Sequence, residues 1–319
     1  MLVALRPVLV AKEEAKIKQA IRKAAASAAK MNNDEAFHRV VQFELFPAHS
    51  KSVEGIYSLT WLAKGEWREV IRSLGYTATT VWDSAGVAEE SKPQYTPYPV
   101  WLMISAFSGQ ALRLTPKDRF GPVVRQKVNG KTEMCSEVKR QPLGSLKFCI
   151  SPRTLALASA AYSYGDERVK YTGFVAWNGA MMPRGISARL GRTLILRAKV
   201  TALSRYAGSP DAVLNVPTGP NVYLSPICKH VVPPKALFAP PPAYPLMAEE
   251  NLRTGTVRAW AIIGRDGLLH HITVIQSASP ALDAAAIRVL RRWRFRPATC
   301  SGYAEPAAQE EHVTFTLGP

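Results

Sequence analysis

Residues 255–297 read GTVRAWAIIGRDGLLHHITVIQSASPALDAAAIRVLRRWRFRP, and this stretch decides the fold of the C-terminal part of the chain. Two apolar segments, 255–263 and 269–276, flank the pair Asp266-Gly267. This pair is typical of a hairpin turn, because glycine supplies the positive φ that such turns require. The sequence therefore predicts two antiparallel strands joined by a tight turn.

A helix is predicted after the second strand. The apolar positions that recur at helical spacing are Leu282, Ala286, Leu290 and Trp293. Asp283 lies near the helix start, where a carboxylate complements the helix dipole. Phe295 and Pro297 end the helix, and residues 312–317 alternate as a last strand. The predicted unit is β-β-α-β, with one amphipathic helix covering a three-stranded sheet.

The order and spacing of these motifs resemble the C-terminal domain of TonB energy transducers. The matching residues are Tyr244, Pro245, Gly255, Asp266, Gly267, Leu282, Asp283, Trp293, Phe295 and Pro297. The resemblance covers residues 244–319. It implies a domain that binds rather than catalyses, and whose last strand pairs with a short extended segment of an outer-membrane transporter.

The resemblance also implies a partner-binding edge near the C-terminus. By position, the residues of this edge are His312, Val313, Thr314, Phe315 and Thr316, with Arg294 and Arg296 as further candidates for partner contact. An unpaired strand edge presents backbone N–H and C=O groups that accept another strand. Two alternatives stay open: the N-terminal part of the protein covers the edge, or the two arginines are simply solvated.

In the middle of the chain, apolar residues repeat with a period of two instead of the helical period. Between Val53 and Leu203, short segments with alternating apolar residues predict an antiparallel, strongly curved sheet or partial barrel. Segments 56–61, 66–71 and 76–82 resemble the opening of a lipoprotein-carrier half-barrel of the LolA/LolB type. That resemblance implies a concave face able to hold an acyl chain, so a lipid or lipoprotein carrier is the alternative function. Residues 97–114 are predicted to form a helix that covers this sheet.

The N-terminal 45 residues are predicted to be largely helical. The apolar face of the first helix consists of Ile17, Ile21, Ala25 and Ala28. Residues 32–34 are predicted to break this helix before a second one that carries Phe37, Val40 and Val41. The apolar start of the chain, residues 1–11, is either the stub of a secretion signal or a first strand or helix turn.

Four regions follow from these patterns: a helical segment 1–50, an antiparallel β domain 51–207, a Pro-rich connection 208–243 and the TonB-like domain 244–319. The predicted fold class is α+β, with an N-terminal helix plus a curved antiparallel β-sheet or half-barrel domain, and a small C-terminal TonB-like β-β-α-β domain. The sequence contains no stretch of about 18 apolar residues, so it predicts no membrane helix. A complete transducer of the family has such a helix and a long spacer, and neither is visible in this sequence. Whether the protein transduces energy therefore stays open.

The net charge of +17 is unevenly distributed. Residues 113–205 contain 18 Lys/Arg and 5 Asp/Glu, whereas residues 244–319 contain 8 and 7. A basic surface attracts polyanions, so a lipid or anionic polysaccharide ligand is expected at the N-terminal domain, with a generally basic surface as the alternative. No nucleic-acid partner is expected.

The four cysteines, Cys135, Cys149, Cys228 and Cys300, form no CxxC pair and permit three disulfide pairings. A turn at 141–144 places Cys135 opposite Cys149 or Ile150. We therefore predict disulfides 135–149 and 228–300 in an oxidising compartment, with four reduced buried thiols as the alternative.

No G-x-S-x-G, Walker, GxGxxG or HExxH motif occurs. His270 and His271 are adjacent on a strand and point to opposite faces, so they do not chelate one ion together. No metal or cofactor is expected. The sequence predicts a non-catalytic periplasmic interaction protein that binds an envelope or outer-membrane protein, such as a TonB-dependent transporter segment, by β-strand addition.

Overall fold

The structure is a computed structural model that describes residues 11–28, 35–48, 50–62, 65–128, 130–140, 144–219, 221–228 and 230–317. The expected signal stub at residues 1–10, the helix break at 32–34 and the turn residues 141–143 lie outside these ranges.

Helices occupy a minor part of the described residues. Their bounds are α1 (Ala11–Ala28), α2 (Tyr98–Phe107), α3 (Pro210–Leu214), α4 (Leu246–Glu250) and α5 (Pro280–Leu290), with a 3-10 turn at Gln110–Leu112. Within the ranges given above, no helix combines the length and apolarity needed to cross a membrane.

Strands make up most of the regular structure. The first fourteen are β1 (Phe37–Leu45), β2 (Val53–Trp61), β3 (Trp67–Ser73), β4 (Tyr76–Trp82), β5 (Gly86–Lys92), β6 (Val124–Val128), β7 (Lys131–Arg140), β8 (Gly144–Ile150), β9 (Leu157–Tyr164), β10 (Glu167–Thr172), β11 (Val175–Trp177), β12 (Ala180–Met182), β13 (Gly185–Leu190) and β14 (Thr193–Arg205). The others are β15 (Val222–Pro226), β16 (Val231–Val232), β17 (Lys235–Phe238), β18 (Gly255–Ile263), β19 (Leu269–Gln276), β20 (Arg294–Arg296), β21 (Ala298–Cys300), β22 (Tyr303–Glu305) and β23 (Ala307–Phe315).

The predicted fold class is confirmed. The large curved antiparallel sheet has the strand order β15-β5-β4-β3-β2-β1-β14-β13-β10-β9-β8-β7-β6, and within the described strands it does not close into a barrel. A small C-terminal sheet has the order β19-β18-β23 and is accompanied by α5.

One compact unit comprises Met1–Glu35, Phe43–Ser50 and Leu102–Thr201. Its core lies between α1 and one face of the sheet, since α1 contacts β8, β9 and β12. The predicted apolar face of α1 is confirmed, because Ile17, Ile21, Ala25 and Ala28 are all buried. Cys135 on β7 lies directly opposite Cys149 on β8, and the predicted disulfide between them is present with Cα atoms 4.0 Å apart.

The other compact unit comprises Ala36–Gln42, Lys51–Trp101 and Ala202–Pro319. Strands β2–β5 and the whole C-terminal region thus share one unit. The predicted disulfide between Cys228 and Cys300 is also present, with Cα atoms 5.1 Å apart. The four predicted domain limits stay predictions.

The predicted second N-terminal helix is wrong, because Phe37, Val40 and Val41 lie on strand β1. Burial along this strand alternates, with Phe37, Arg39, Val41 and Phe43 on the buried side. The period of two was obscured in the sequence because one of these inward positions is an arginine. Its side chain is only 2% exposed.

The Pro-rich connection contains more regular structure than its composition indicated. Strand β15 pairs with β5, β16 pairs with β21, and β17 pairs with β20. Each of these three strands therefore obtains its backbone hydrogen bonds from a strand elsewhere in the same unit. Such pairing depends on long-range contacts that local composition does not encode.

Candidate partner-binding edge of the C-terminal sheet

The turn between β18 and β19 is held by the predicted motif residues Asp266 and Gly267. Asp266 Oδ1 accepts a hydrogen bond from the backbone N–H of Leu268 at 3.0 Å. Gly267 has φ +71°, and a Cβ added there would collide with the carbonyl oxygen of Phe295. The Phe295 N–H in turn donates to the Gly267 carbonyl at 2.9 Å. Glycine is required here because the turn and β20 approach so closely.

The start of α5 is fixed by two side chains. The hydroxyl of Ser279 accepts a hydrogen bond from the Leu282 N–H at 3.3 Å, as an N-cap residue does. The Asp283 carboxylate accepts bonds from the Ala278 N–H at 3.1 Å and from the Ser277 hydroxyl at 2.6 Å. The carboxylate expected to complement the dipole therefore also ties the helix to the end of β19.

The helix covers one face of the three-stranded sheet. The buried residues of this core are Ala248, Val257, Ala259, Leu282, Ala285, Ala286, Val289, Leu290, Val313 and Phe315. Tyr244 closes one end of this core. Its ring meets the ring of Phe315 edge-on, with the two ring centroids 5.6 Å apart. Trp293 closes another side, where its indole N–H donates to the carbonyl of Pro240 at 3.2 Å. The motif residues of the C-terminal region thus hold its core together.

Strand β23 forms a regular edge of this sheet. It pairs with β18 over nine consecutive residue pairs, from Ala307 opposite Ile263 to Phe315 opposite Gly255, without a register shift. In the described part of the chain, no strand pairs with its other side. Val313 and Phe315 point into the core, whereas His312, Thr314 and Thr316 are exposed.

A polar cluster lies on the face of the sheet opposite the helix. Arg258 on β18 donates a hydrogen bond from Nε to Glu310 and another from Nη1 to Gln276 Oε1 at 2.9 Å. The His312 ring lies 2.9 Å from the same Glu310 carboxylate. Burial raises the pKa of Glu310, but the hydrogen bonds from Arg258 and His312 outweigh it, so the pKa is lowered overall. Glu310 is therefore a carboxylate at neutral pH.

The next residue, Glu311, points to the other face and is only 8% exposed. The side-chain amide of Gln309 donates a hydrogen bond to Glu311 Oε1 at 2.8 Å. Burial raises the pKa of Glu311 to about 7. The edge strand therefore carries one permanently charged carboxylate and one that titrates near neutral pH.

The sheet face opposite the helix is also covered by aromatic residues. Trp260 on β18 is 4% exposed and lies against Tyr98 and Trp101 at the start of α2, with ring centroids 5.1 Å and 5.2 Å away. Both of those residues belong to the same compact unit as Trp260. In this unit the faces of β18 are thus occupied on both sides, and the two edges of the sheet are β19 and β23.

Residues on the β5–α2 segment and on β15 contact the β18–β19 turn. Tyr95 accepts a hydrogen bond from the Arg265 N–H at 3.1 Å, and its ring lies 4.7 Å from that of His270. The Arg265 guanidinium lies over the ring of Tyr223, whose hydroxyl donates to Glu305 at 3.1 Å. The C-terminal region is therefore packed against the rest of its unit on several sides.

Arg294 and Arg296, predicted as further partner contacts, lie elsewhere. They are exposed on β20, which pairs with β17 in a separate two-stranded ladder. The structure does not bring them onto the β19-β18-β23 sheet. Their role in partner binding stays a prediction.

Sequence reasoning did not assign the aromatic cover of β18 to this site. A signal for it was present, because residues 257–263 read VRAWAII and every one of them is buried. A strand buried on both faces loses the alternation of apolar and polar residues that marks a half-exposed strand. The covering residues Tyr98 and Trp101 are distant in sequence, so the pattern indicated burial but not its partners.

Solved structures with some similarity to the chain come from bacterial proteins. A putative outer membrane lipoprotein-sorting protein domain from Vibrio parahaemolyticus is 10% identical, with a TM-score of 0.39 over 65% of this chain and 97% of that one. A DUF1329 family protein from Desulfovibrio piger is 10% identical, with a TM-score of 0.37 over 62% and 96%. A LolA superfamily protein from Nitrosomonas europaea is 10% identical, with a TM-score of 0.35 over 61% and 96%.

No curated protein sequence matches the chain. Residues 240–317, which contain the hairpin, α5 and β23, match the family model of the Gram-negative bacterial TonB protein C-terminal domain, as the motif order predicted.

Proposed function

We propose that this protein is a non-catalytic periplasmic interaction protein that binds an extended segment of an envelope or outer-membrane protein along β23. The observation that carries the proposal is the regular, nine-residue edge of β23, whose outer side is not paired with any described strand. The family match supports it, because the matched domain belongs to proteins of the Gram-negative envelope. Participation in TonB-type transport to the outer membrane is the broader process that such binding would serve.

The opposite edge of the sheet is less suited to strand addition. The register of β19 with β18 shifts twice, and His271 on β19 has a positive φ of 51°. The Nε2 atom of His271 lies 3.4 Å from the carbonyl oxygen of Gln94. The ring of Tyr95, which follows Gln94 in the chain, contacts the ring of His270. Irregular backbone and neighbouring residues interrupt the row of N–H and C=O groups that a guest strand needs.

The side chains along β23 define what a guest segment meets. His312, Thr314 and Thr316 alternate on the exposed face, while Glu310 presents a carboxylate already bonded by Arg258. Backbone hydrogen bonds supply most of the affinity in this mode, and alternate side chains supply the selectivity. We therefore expect a short extended segment with polar or hydrogen-bonding side chains at alternate positions.

Site-directed photo-cross-linking with the full-length chain tests this proposal. A photoreactive residue replaces His312 or Thr314 in two separate variants, and a third variant carries it at Arg288, which is exposed on α5. After irradiation in a cell-envelope extract, adducts to the same partner are expected from the first two variants and not from the third. Mass spectrometry should place the two cross-links on partner residues about two positions apart, since side chains on one face of a strand repeat every two residues. Equal adducts from all three variants, or cross-links in unrelated segments, would count against strand addition.

The carrier alternative depended on a deep apolar cavity beside residues 97–114. Tyr98, Val100, Met103 and Phe107 on α2 are each at most 1% exposed, so this segment is tightly packed. The buried side chains of α2 fill the space that an acyl chain would need there, which favours the interaction function.

A further inference from the structure

A cavity of about 320 Å³ opens on one face of strands β8, β9, β10 and β13, in the unit that contains α1. Its volume falls within the range of small-ligand sites, which is roughly 300–1,000 Å³. The charged residues of its lining are Lys147, Arg168, Lys170 and Arg189. Among the described lining residues there is no carboxylate.

Strand register brings these cations together. Arg168 on β10 lies directly opposite Arg189 on β13, and Lys170 lies opposite Ser187 on the same pair of strands. On the other side of β10, Lys170 lies opposite Ala161, which is opposite Lys147 on β8. Because directly opposite residues point to the same face, all four cations belong to one surface.

The centre of this surface is built from small residues. Ser159, Ala161 and Ser163 alternate along β9 on the cavity face, between the basic residues of β8 and β10. Short side chains leave a depression, and the hydroxyl of Ser163 can donate a hydrogen bond to a ligand that enters it, whereas Ser159 already donates to Glu133. The floor is therefore both open and polar, and its rim is cationic.

Two carboxylates of β7 lie beside the cavity, and Glu137 is placed to pair with Lys147 at one end of it. Glu133 on β7 is 7% exposed and accepts a hydrogen bond from Ser159, while Glu137 is exposed opposite Lys147. Lys147 donates to the side chain of Gln126 at 2.6 Å. Arg189 donates to the backbone carbonyl of Arg192 at 2.7 Å.

The Arg168–Arg189 pair is unfavourable for the protein alone, because like charges directly opposite each other destabilise a sheet. An anion held between the two guanidinium groups would reverse this effect. A guanidinium group can donate two parallel hydrogen bonds to the oxygens of one phosphate group. Such charge-assisted hydrogen bonds are among the strongest in proteins.

We propose that this cavity binds a phosphate ester, with Arg168 and Arg189 as its principal ligands and Lys147 and Lys170 at its rim. The site is separate from the β23 edge and does not depend on the strand-addition function. The phosphate group is either the headgroup of an anionic lipid or part of a free phosphorylated molecule.

The experiment uses the full-length protein in three forms. The cavity variant is Arg168→Gln with Arg189→Gln. The control variant is Arg125→Gln with Lys127→Gln, which removes the same charge from β6 at positions that alternate with the cavity-lining Gln126 and Val128. Binding of glycerol phosphate is measured by calorimetry, and binding to vesicles of phosphatidylglycerol or phosphatidylcholine by sedimentation, all at one fixed low salt concentration.

Wild type and the control variant should bind glycerol phosphate or phosphatidylglycerol vesicles but not the zwitterionic phosphatidylcholine vesicles, and the cavity variant should bind about tenfold or more weakly, as expected when two charge-assisted contacts are lost. Binding of glycerol phosphate indicates a free phosphorylated ligand, whereas binding only to phosphatidylglycerol vesicles indicates a lipid headgroup. Equal weakening in both variants, or no binding of either probe to wild type, would overturn the proposal.

A thermal-unfolding measurement guards against a folding defect in the cavity variant. Without ligand, its Tm should equal or exceed that of wild type, because a like-charge pair has been removed. Added glycerol phosphate should raise the Tm of wild type and of the control variant only, since a ligand stabilises the form that binds it. A Tm rise of the same size in the cavity variant would also contradict the assignment.

Discussion

The indole of Trp260 on β18 packs against the indole of Trp101 on α2, with ring centroids 5.2 Å apart. Tyr98 also contacts Trp260, with centroids 5.1 Å apart, and its ring lies 6.2 Å from that of Trp101. Trp260 is about 160 positions away from Tyr98 and Trp101 in the sequence. The three side chains nevertheless form one buried cluster on the sheet face that α5 leaves uncovered. The C-terminal sheet is therefore held from both faces.

Replacing Trp260 with alanine should lower the free energy of unfolding by about 3–5 kcal/mol, because a large aromatic side chain leaves a cavity that the surroundings fill incompletely. Trp82→Ala serves as the control, since Trp82 is 36% exposed and should cost clearly less. Urea denaturation of both variants measures the difference. Similar losses for the two variants would show that the Trp260 cluster is not a main support of the C-terminal sheet.

Gly267→Ala should destabilise the protein much more than Gly75→Ala. Both glycines have positive φ, but a Cβ at Gly75 meets nothing within 4 Å, whereas at Gly267 it collides with the Phe295 carbonyl. Gly75→Ala should therefore show only the backbone strain of about 1–2 kcal/mol that a left-handed residue other than glycine carries. Thermal or urea unfolding measures both. If the two substitutions have equal effects, the close approach of the turn to β20 is not present in solution.

The contribution of Glu311 to the stability of the protein should become less favourable as the pH rises from about 4.5 to 7. Burial raises the pKa of Glu311 to about 7 in the folded state from a reference value of 4.5. Between those two values the folded state binds more protons than the unfolded state, so unfolding becomes easier as the pH increases. Glu311→Gln should therefore be more stable than wild type above pH 7 and similar to it near pH 4.5.

Glu310→Gln is the matched control for this pH dependence, since the pKa of Glu310 is lowered in the folded state by Arg258 and His312 despite burial. Its carboxylate stabilises the folded state above the reference pKa, and this contribution disappears as the pH falls. Glu310→Gln should therefore be less stable than wild type at pH 7. Urea midpoints between pH 4.5 and 8 compare the three proteins. Curves of equal slope for wild type and Glu311→Gln would contradict a buried, titrating Glu311.

Removing the Cys228–Cys300 disulfide should cost more stability than removing Cys135–Cys149. The first closes a loop of 72 residues, for which chain entropy gives up to about 4 kcal/mol. The second closes a loop of 14 residues and gives up to about 3 kcal/mol. Double cysteine-to-serine variants, unfolded in urea without reductant, test the order. The reverse order would indicate that native contacts, not loop length, dominate the effect.

Much of the C-terminal region could be predicted from local sequence. The turn at Asp266-Gly267, the spacing of Leu282, Ala286 and Leu290, and the alternation of β23 each depend on residues close together in the chain. The periods of strands and helices are local properties, so they can be recognised in the sequence without knowledge of the tertiary contacts. The pairing of Cys135 with Cys149 could be predicted for the same reason, because a single turn sets the register.

Other elements could not be predicted, because their conformation depends on distant partners. Strand β1 looked helical since Arg39 occupies a buried position and obscures the period of two. Strands β15, β16 and β17 of the Pro-rich connection depend on β5, β21 and β20 for their ladder hydrogen bonds. The basic cavity depends on the register of four strands, which no single segment encodes.

The amino-acid sequence alone determined the order of the C-terminal elements, the motif residues of the TonB-type domain, both disulfide pairings and the excess of positive charge in residues 113–205. The tertiary structure alone decided that β18 is covered on both faces, that β23 pairs with β18 over nine residues, and that Arg168 and Arg189 face one cavity. The division has a physical reason: turns, helix faces and strand periods arise from neighbours in the chain. Cover, edges and cavities arise from side chains that only folding brings together.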